Sequence, residues 1–355
     1  MLKRKNCIKE YLNEFIPSVI SNLVCEYDYY YLEGKCELTL QGHRKTITCC
    51  TILTDDHLGC SAWQAERVER IVSGSADKTL RIWNIETGKC ELILEGHTSY
   101  VRCCAILLDK RIVSGSDDGT LKIWNPFGSA EQPAGPLRPA QTGPQSNCRS
   151  SKGPKGKCEL TLKGHTGCVY HCAVLHDGRI VSGAFDATLR IWDVATGNCD
   201  TCLRCSDFVK DCFVLTDGRI FSISCDTVTI WNAETRKYDL ILEDDKIYSI
   251  LSNGQIIKRF YGWSKLTAPN EHCEITLDGY FEHAIQFDVL PDGRIIGYLH
   301  YPDCTNELRI WNAQTGKCDR ILRMDAAFIS CYTILHDGRI VTGSCSNDFT
   351  LKIWS

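Results

Sequence analysis

Within each stretch of about forty residues the chain shows four short runs rich in β-branched, aromatic and cysteine residues, broken by turn signals such as Asp-Gly-Arg, Asn-Gly and Thr-Gly-Lys. These runs predict strands. Two regions read otherwise. In residues 1–33, Ile16, Val19, Ile20, Leu23, Val24 and Tyr27 recur at helical spacing behind Pro17, which suits a helix's first position, so a short amphipathic helix is predicted. Residues 126–156 hold six of the ten prolines and almost no aliphatic side chains, which predicts a disordered loop.

The strand runs belong to a repeat. GKCELTL at 34–40 returns as GKCELIL at 88–94 and GKCELTL at 156–162. RIVSGSADKTLRIWN at 70–84 returns at 111–125, 179–193 and 219–232, and more loosely at 339–354. Trp83 and Trp124 are 41 residues apart, Trp192 and Trp231 39, and Trp311 and Trp354 43, which fixes a period near forty. Opening runs near Lys35, Lys89, Lys157, Asn198, Lys237, His272 and Lys317 count seven units. The last unit stops after its third strand at Trp354, while the repeat region opens on an unpartnered strand, Lys35 to Leu40. Pairing the two would remove two open sheet edges and bury Cys36, Leu38 and Leu40.

Gly-His at 42–43, 96–97 and 164–165, followed in each unit by Ile-Trp-Asn or Ile-Trp-Asp, resembles the WD40-repeat family over residues 34–355. The resemblance implies an all-β fold: a seven-bladed β-propeller closed by pairing of its N-terminal strand with the last blade, preceded here by the short helix of residues 1–33. His43, Ser73 and Asp77 have the composition of a hydrolase triad, but with Trp83 they recur as His97, Ser114, Asp118, Trp124 and as His165, Ser182, Asp186, Trp192. Three identical nucleophiles make no sense in one enzyme. The resemblance implies structural tetrads, each a buried hydrogen-bond chain from indole to carboxylate. Unit four keeps Ser222, Asp226 and Trp231 without Gly-His. Unit five lacks His, Asp and Trp, unit six keeps Trp311, and unit seven keeps Thr342, Asp348 and Trp354.

Twenty-three cysteines raise the question of disulfides or metal. Cys199, Cys202 and Cys205 have a ligand-like spacing, yet strand alternation points Cys199 and Cys202 to opposite faces, so no metal and no cofactor is expected. Cys50, Cys104, Cys172 and Cys212 share one register and are expected as small buried hydrophobes. The formal charge of −4 gives no basic surplus for nucleic acid, and no apolar run reaches the roughly eighteen residues that would span a membrane. Polar residues interrupt the one candidate signal segment. These features predict a cytoplasmic protein, with the nucleus, or the host cytoplasm if viral, as the other settings.

The expected function is a non-catalytic protein-interaction scaffold whose partners are one or more proteins. By position in the repeat, the resemblance implies a binding face that includes Lys45, Tyr100, Arg102, Asp117, Tyr170 and Phe185. Insertions around 55–69 and at 126–156 should emerge together on one face. The stretch 15–24 resembles the opening of an F-box, and also the leader before WD40 repeats in some large DNA viruses of amoebae. The alternative function is therefore the substrate-recognition subunit of a ubiquitin ligase, its residues 1–33 docking an adaptor rather than packing on the propeller. The Trp-Asp-x-Arg signature common in WD40 receptors of cullin ligases is absent, the nearest tetrapeptide being Trp-Asp-Val-Ala at 192–195.

Overall fold

Short runs of β-branched and aromatic residues bury one or both faces only when stacked as sheets, and the computed structural model forms such sheets. It describes residues 35–55, 68–126, 155–215, 217–224, 227–242, 247–250, 256–260, 263–267, 274–277, 284–290, 293–300, 306–324, 329–344 and 348–355. The helix expected within residues 1–33, most of the 126–156 insertion and the 55–69 insertion between its flanking strands lie outside them.

The described strands group by fours, and neighbouring strands within a group are antiparallel wherever their register is defined. Sheet one comprises Ile47–Asp55, Val68–Ser75, Thr79–Asn84 and Cys90–Glu95; sheet two comprises Val101–Ile106, Ile112–Ser116, Thr120–Asn125 and Lys155–Lys163. Sheet three holds Val169–Val174, Ile180–Ala184, Thr188–Trp192 and Cys199–Arg204, and sheet four Asp211–Val214, Ile220–Ile223, Val228–Asn232 and Lys237–Leu242. Sheet seven is Ile329–Ile334, Ile340–Ser344 and Leu351–Trp354, completed by Cys36–Leu40. These five sheets make up one compact unit.

The first and last strands pair antiparallel, with Leu38 opposite Ile353 and Leu40 opposite Leu351. Leu40 is buried and Leu38 half-buried, but Cys36 is exposed. The register shifts between Cys36 and Leu38, so the thiol leaves the apolar face it was expected to share. The fourth strand of sheet two begins at Lys155, two residues earlier than a loop running to 156 allows. The added strand residues pair in parallel with sheet one, Ile93 opposite Lys155 and Leu94 opposite Gly156, and join the two sheets. Glycine at 156 eases this approach, since a Cβ there would press on the Leu94 and Leu92 side chains.

The second compact unit contains the other two groups. Sheet five, from the unit that lacks His, Asp and Trp, still forms four strands: Ile247–Ile250, Ile256–Phe260, Trp263–Thr267 and Glu274–Leu277. Sheet six comprises Ala284–Val289, Ile295–His300, Asn306–Trp311 and Cys318–Met324. Its core holds Ile295, Ile296, Leu308 and Trp311, all fully buried. Glu307 and Arg309 are also buried and are joined by two hydrogen bonds, from Nε at 3.0 Å and from Nη2 at 2.9 Å.

Candidate protein-binding face

The tetrad residues build the loops that carry the face. In sheet one the buried Trp83 indole donates to Ser73 Oγ at 2.8 Å; Ser73 Oγ lies 2.8 Å from His43 Nε2, and His43 Nδ1 lies 2.9 Å from Asp77. The same chain runs Trp124, Ser114, His97, Asp118 at 2.9, 2.8 and 2.8 Å, and Trp192, Ser182, His165, Asp186 at 2.8, 2.8 and 3.0 Å. An indole can only donate and a carboxylate only accept, so Nδ1 carries the imidazole proton and the serine hydroxyl donates to Nε2. Every group is thereby satisfied with a neutral ring. Burial pulls His43 and His165 below the usual imidazole range and outweighs the adjacent carboxylate. Burial acts against Asp77 and Asp118 as well, but hydrogen bonds from His43 and His97 win and hold both carboxyls far below their ordinary value.

Proton order is that of a serine hydrolase, but the serine is out of reach. Ser73, Ser114 and Ser182 are fully buried, and each hydroxyl already accepts from an indole. The glycine of each Gly-His pair seats that indole. A Cβ on Gly42 would stand 3.0 Å from the Trp83 ring and 2.8 Å from Arg81, and one on Gly164 3.1 Å from both Trp192 and Arg190.

Each tetrad ties the loop bearing its histidine to the turn bearing its aspartate, and the predicted face residues sit beside those anchors. Asp117 precedes Asp118 and Phe185 precedes Asp186, while Lys45 and Tyr100 follow His43 and His97 by two and three positions. Backbone bonds of 2.9 Å join Asp117 N–H to the Tyr100 carbonyl and Phe185 N–H to that of Cys168.

All six predicted residues come together. Lys45 Nζ lies 5.4 Å from the Tyr100 ring centre; Arg102 lies 5.7 Å from the Tyr100 ring and 5.9 Å from Tyr170. Asp117 holds the Arg102 guanidinium by two 2.7 Å hydrogen bonds and raises its pKa. Tyr170 meets Phe185 edge-on at 6.3 Å. The ribbon continues to a residue that sequence reasoning missed: Phe208 stacks on Phe185 at 5.6 Å and lies 6.2 Å from Tyr170. Phe208 occupies the repeat position of Tyr100, immediately before a buried valine, Val209 for Val101. Unit four lacks the Gly-His that would have marked it. Phe185 remains 57% exposed and Tyr100 38%, so the ribbon crosses sheets one to four with rigid aromatic surface open to solvent.

Cys199 pairs opposite Trp192 and Cys202 opposite Arg190; the first is half-buried and the second exposed, and Cys205 is half-buried. Among the described residues no three His, Cys, Asp or Glu side chains are placed to hold an ion. Cys172 and Cys212 are buried, but Cys50 and Cys104, expected to be so, are half-buried. Each faces another thiol across a sheet junction, Cys331 for Cys50 and Cys49 for Cys104.

The profile of the WD domain, G-beta repeat, matches residues 34–84, 88–125, 156–193 and 316–355. The chain carries WD40 repeats. It is similar to the WD repeat-containing protein pop2 of Schizosaccharomyces pombe, 32% identical over 180 residues that make up 47% of this chain and 23% of that protein. An F-box/WD repeat-containing protein A-like protein of Dictyostelium discoideum is 41% identical over 204 residues, 52% of this chain and 17% of its own length. The chain thus spans less than a quarter of either relative. The crystal structure of the WD40 β-propeller domain of Doa1 superposes with a TM-score of 0.67 at 19% identity, covering 92% of this chain and 98% of that one. This likeness shows the fold of the WD40 repeats to be the β-propeller.

Proposed function

We propose that this WD40-repeat chain is a non-catalytic scaffold that grips partner proteins on the ribbon Lys45, Tyr100, Arg102, Tyr170, Phe185 and Phe208. The observation that carries the proposal is Phe185, more than half exposed yet fixed between the Phe208 and Tyr170 rings. Rigid exposed aromatic rings beside an oriented arginine are the side chains that dominate protein interfaces. The serines with triad-like proton order are sealed from any substrate, which supports a binding role over a hydrolytic one. The test is affinity capture with intact protein and with the Arg102→Ala, Tyr170→Ala, Phe185→Ala triple variant, after both are shown to melt alike. The variant should lose specific partners. An unchanged partner set overturns the proposal.

A second reading is favoured by one observation, the 41% identity to a protein whose name joins F-box and WD repeat. On this reading residues 1–33 dock a ligase adaptor and the ribbon selects the substrate. Recovery of a cullin complex with the full chain, and its loss on removing residues 1–28, would support it. Capture of the same partners by both versions with no cullin would dismiss it.

A further inference from the structure

The first strands of sheets seven, one, two, three and four carry a second repeated pattern, made of sulfur. One position faces a glycine on the next strand: Cys49 opposite Gly74, Cys103 opposite Gly115, Cys331 opposite Gly343, and His171 opposite Gly183. The following position faces a serine: Cys50 opposite Ser73, Cys104 opposite Ser114, Cys172 opposite Ser182 and Cys212 opposite Ser222. Consecutive strand residues point to opposite faces. Each sheet therefore turns its first position toward one neighbour and its second toward the other.

The glycines make room for the sulfurs. A Cβ on Gly74, Gly115 or Gly343 would stand 2.6 Å from the thiol of Cys49, Cys103 or Cys331. The same Cβ atoms would meet Val101, Val169 and Ile47 of the adjoining sheet at 2.7, 2.7 and 3.0 Å, which puts these thiols at the sheet junctions. Couples result. Cys331 and Cys50 share the apolar cluster between sheets seven and one, Cys49 and Cys104 that between sheets one and two, and Cys103 and Cys172 that between sheets two and three. At the next junction His171 stands in the first position, its Nδ1 3.8 Å from the Cys212 sulfur. The partner thiol is the leading cause that raises the pKa of Cys50 and Cys104, while burial leads for Cys103, followed by Cys172. All six thiols of the three couples are free.

We propose that Cys49 and Cys104 are a latent inter-sheet disulfide that closes in the folded protein when a small-molecule disulfide supplies the oxidant. One cysteine, as its thiolate, attacks a sulfur of the oxidant, expelling one reduced thiol and leaving a mixed disulfide; the second cysteine displaces the other half. The two protein thiols give up two protons and two electrons, and the oxidant departs as two thiols. Accessibility ranks the couples. Cys49 and Cys104 are both only partly buried, Cys50 is partly buried but its partner Cys331 is 8% exposed, and Cys103 and Cys172 are each 3% exposed.

The experiment incubates the full-length protein with oxidised mercaptoethanol, quenches with acid and an alkylating agent, and maps unreduced peptides by mass. The peptide holding Cys49 and the peptide holding Cys104 should be recovered linked, about tenfold sooner than those holding Cys103 and Cys172, because buried thiols react slowly. In Cys104→Ser the link should vanish and Cys49 should retain mercaptoethanol, whereas in Cys50→Ser and Cys103→Ser it should persist. Recovery of Cys49 and Cys104 as separate mercaptoethanol adducts, or as unmodified alkylated thiols, would overturn the proposal. A link that survives Cys104→Ser would overturn it too.

Discussion

Sheets one to three and sheet six seat the same side chain, a buried tryptophan on the third strand, by different chemistry. In the first group the indole N–H meets a serine, and behind the serine stand imidazole and carboxylate. In sheet six the register of that serine is taken by Gly297, and the Phe287 ring fills the space, 5.8 Å from the Trp311 ring. Sheets four and seven stand between the two. Trp231 bonds Ser222 and Trp354 bonds Thr342, each at 2.9 Å, and neither unit has the Gly-His. These six sheets thus share a buried tryptophan on the third strand, and a hydroxyl is one way of seating it; sheet five forms its four strands without one in that register. The histidine and aspartate do something else. They fasten loop to turn in the three sheets beside which all of the ribbon but Phe208 lies.

The comparison can be broken most severely at the strand it leaves out. Removing residues 1–40 should strip sheet seven of its outer strand and expose the apolar face of Leu351–Trp354. Leu40 and Leu38, at about 1.5–3 kcal/mol for each fully buried leucine, set the scale at several kcal/mol; an unchanged thermal midpoint would refute it. Next, Ser114→Ala strands both an indole and an imidazole, about 1–3 kcal/mol for each buried unsatisfied group. Ser222→Ala strands an indole and gives up a long 3.4 Å bond to the Thr229 carbonyl but leaves no imidazole unpartnered, so denaturant melts should show the smaller loss there. Gly297→Ser, which writes the sheet-one residue into sheet six, should destabilise rather than help, by about 1–3 kcal/mol. Its Cβ would lie 2.6 Å from Phe287.

Acid should act on the pinned sheets first. His43 and His165 take up a proton below the usual 6.5 when folded and near it when unfolded. The unfolded chain binds more protons in that window, so stability is complete above pH 6.5 and declines as pH falls beneath it, by at most about 1.4 kcal/mol per unit for each site. Asp77, Asp118 and Asp186 add a further loss of the same sign below their ordinary 3.8. Melting temperatures from pH 7.5 to about 4 should show this slope, and His43→Gln with His165→Gln should flatten its upper part. The smallest effect is expected from Asp117→Asn. It loosens Arg102 without unseating the sheet, costs about 0–1 kcal/mol in stability as a partly exposed ion pair, and should show instead as weaker capture of partners.

Much of this was legible because the repeat spells the same letters each time. His43, Ser73, Asp77 and Trp83 could be aligned with their copies by spacing alone, and the pairing of Leu38 with Ile353 followed from a strand missing at one end and spare at the other. Phe208 was not legible, since the loss of Gly-His in unit four removed the landmark for its position. Nor were the thiol couples. Alignment groups Cys50 with Cys104, residues in the same place on different sheets, whereas contact across a junction joins a second-position cysteine to a first-position residue, a cysteine for Cys50, Cys104 and Cys172 and His171 for Cys212. The strand start at Lys155 and Gly156 was hidden in a stretch whose proline and glycine content reads as loop.

The antiparallel match of Leu38 with Ile353 also sets a timetable. At a ribosomal pace of roughly 5–20 residues per second, the interval between synthesis of these two positions is on the order of fifteen to sixty seconds. Through that interval the nascent strand around Leu40 lacks the partner it has in the folded protein, and its greasy side waits uncovered by Leu351–Trp354. The earliest piece of the repeat region to be made is among the last to find its place.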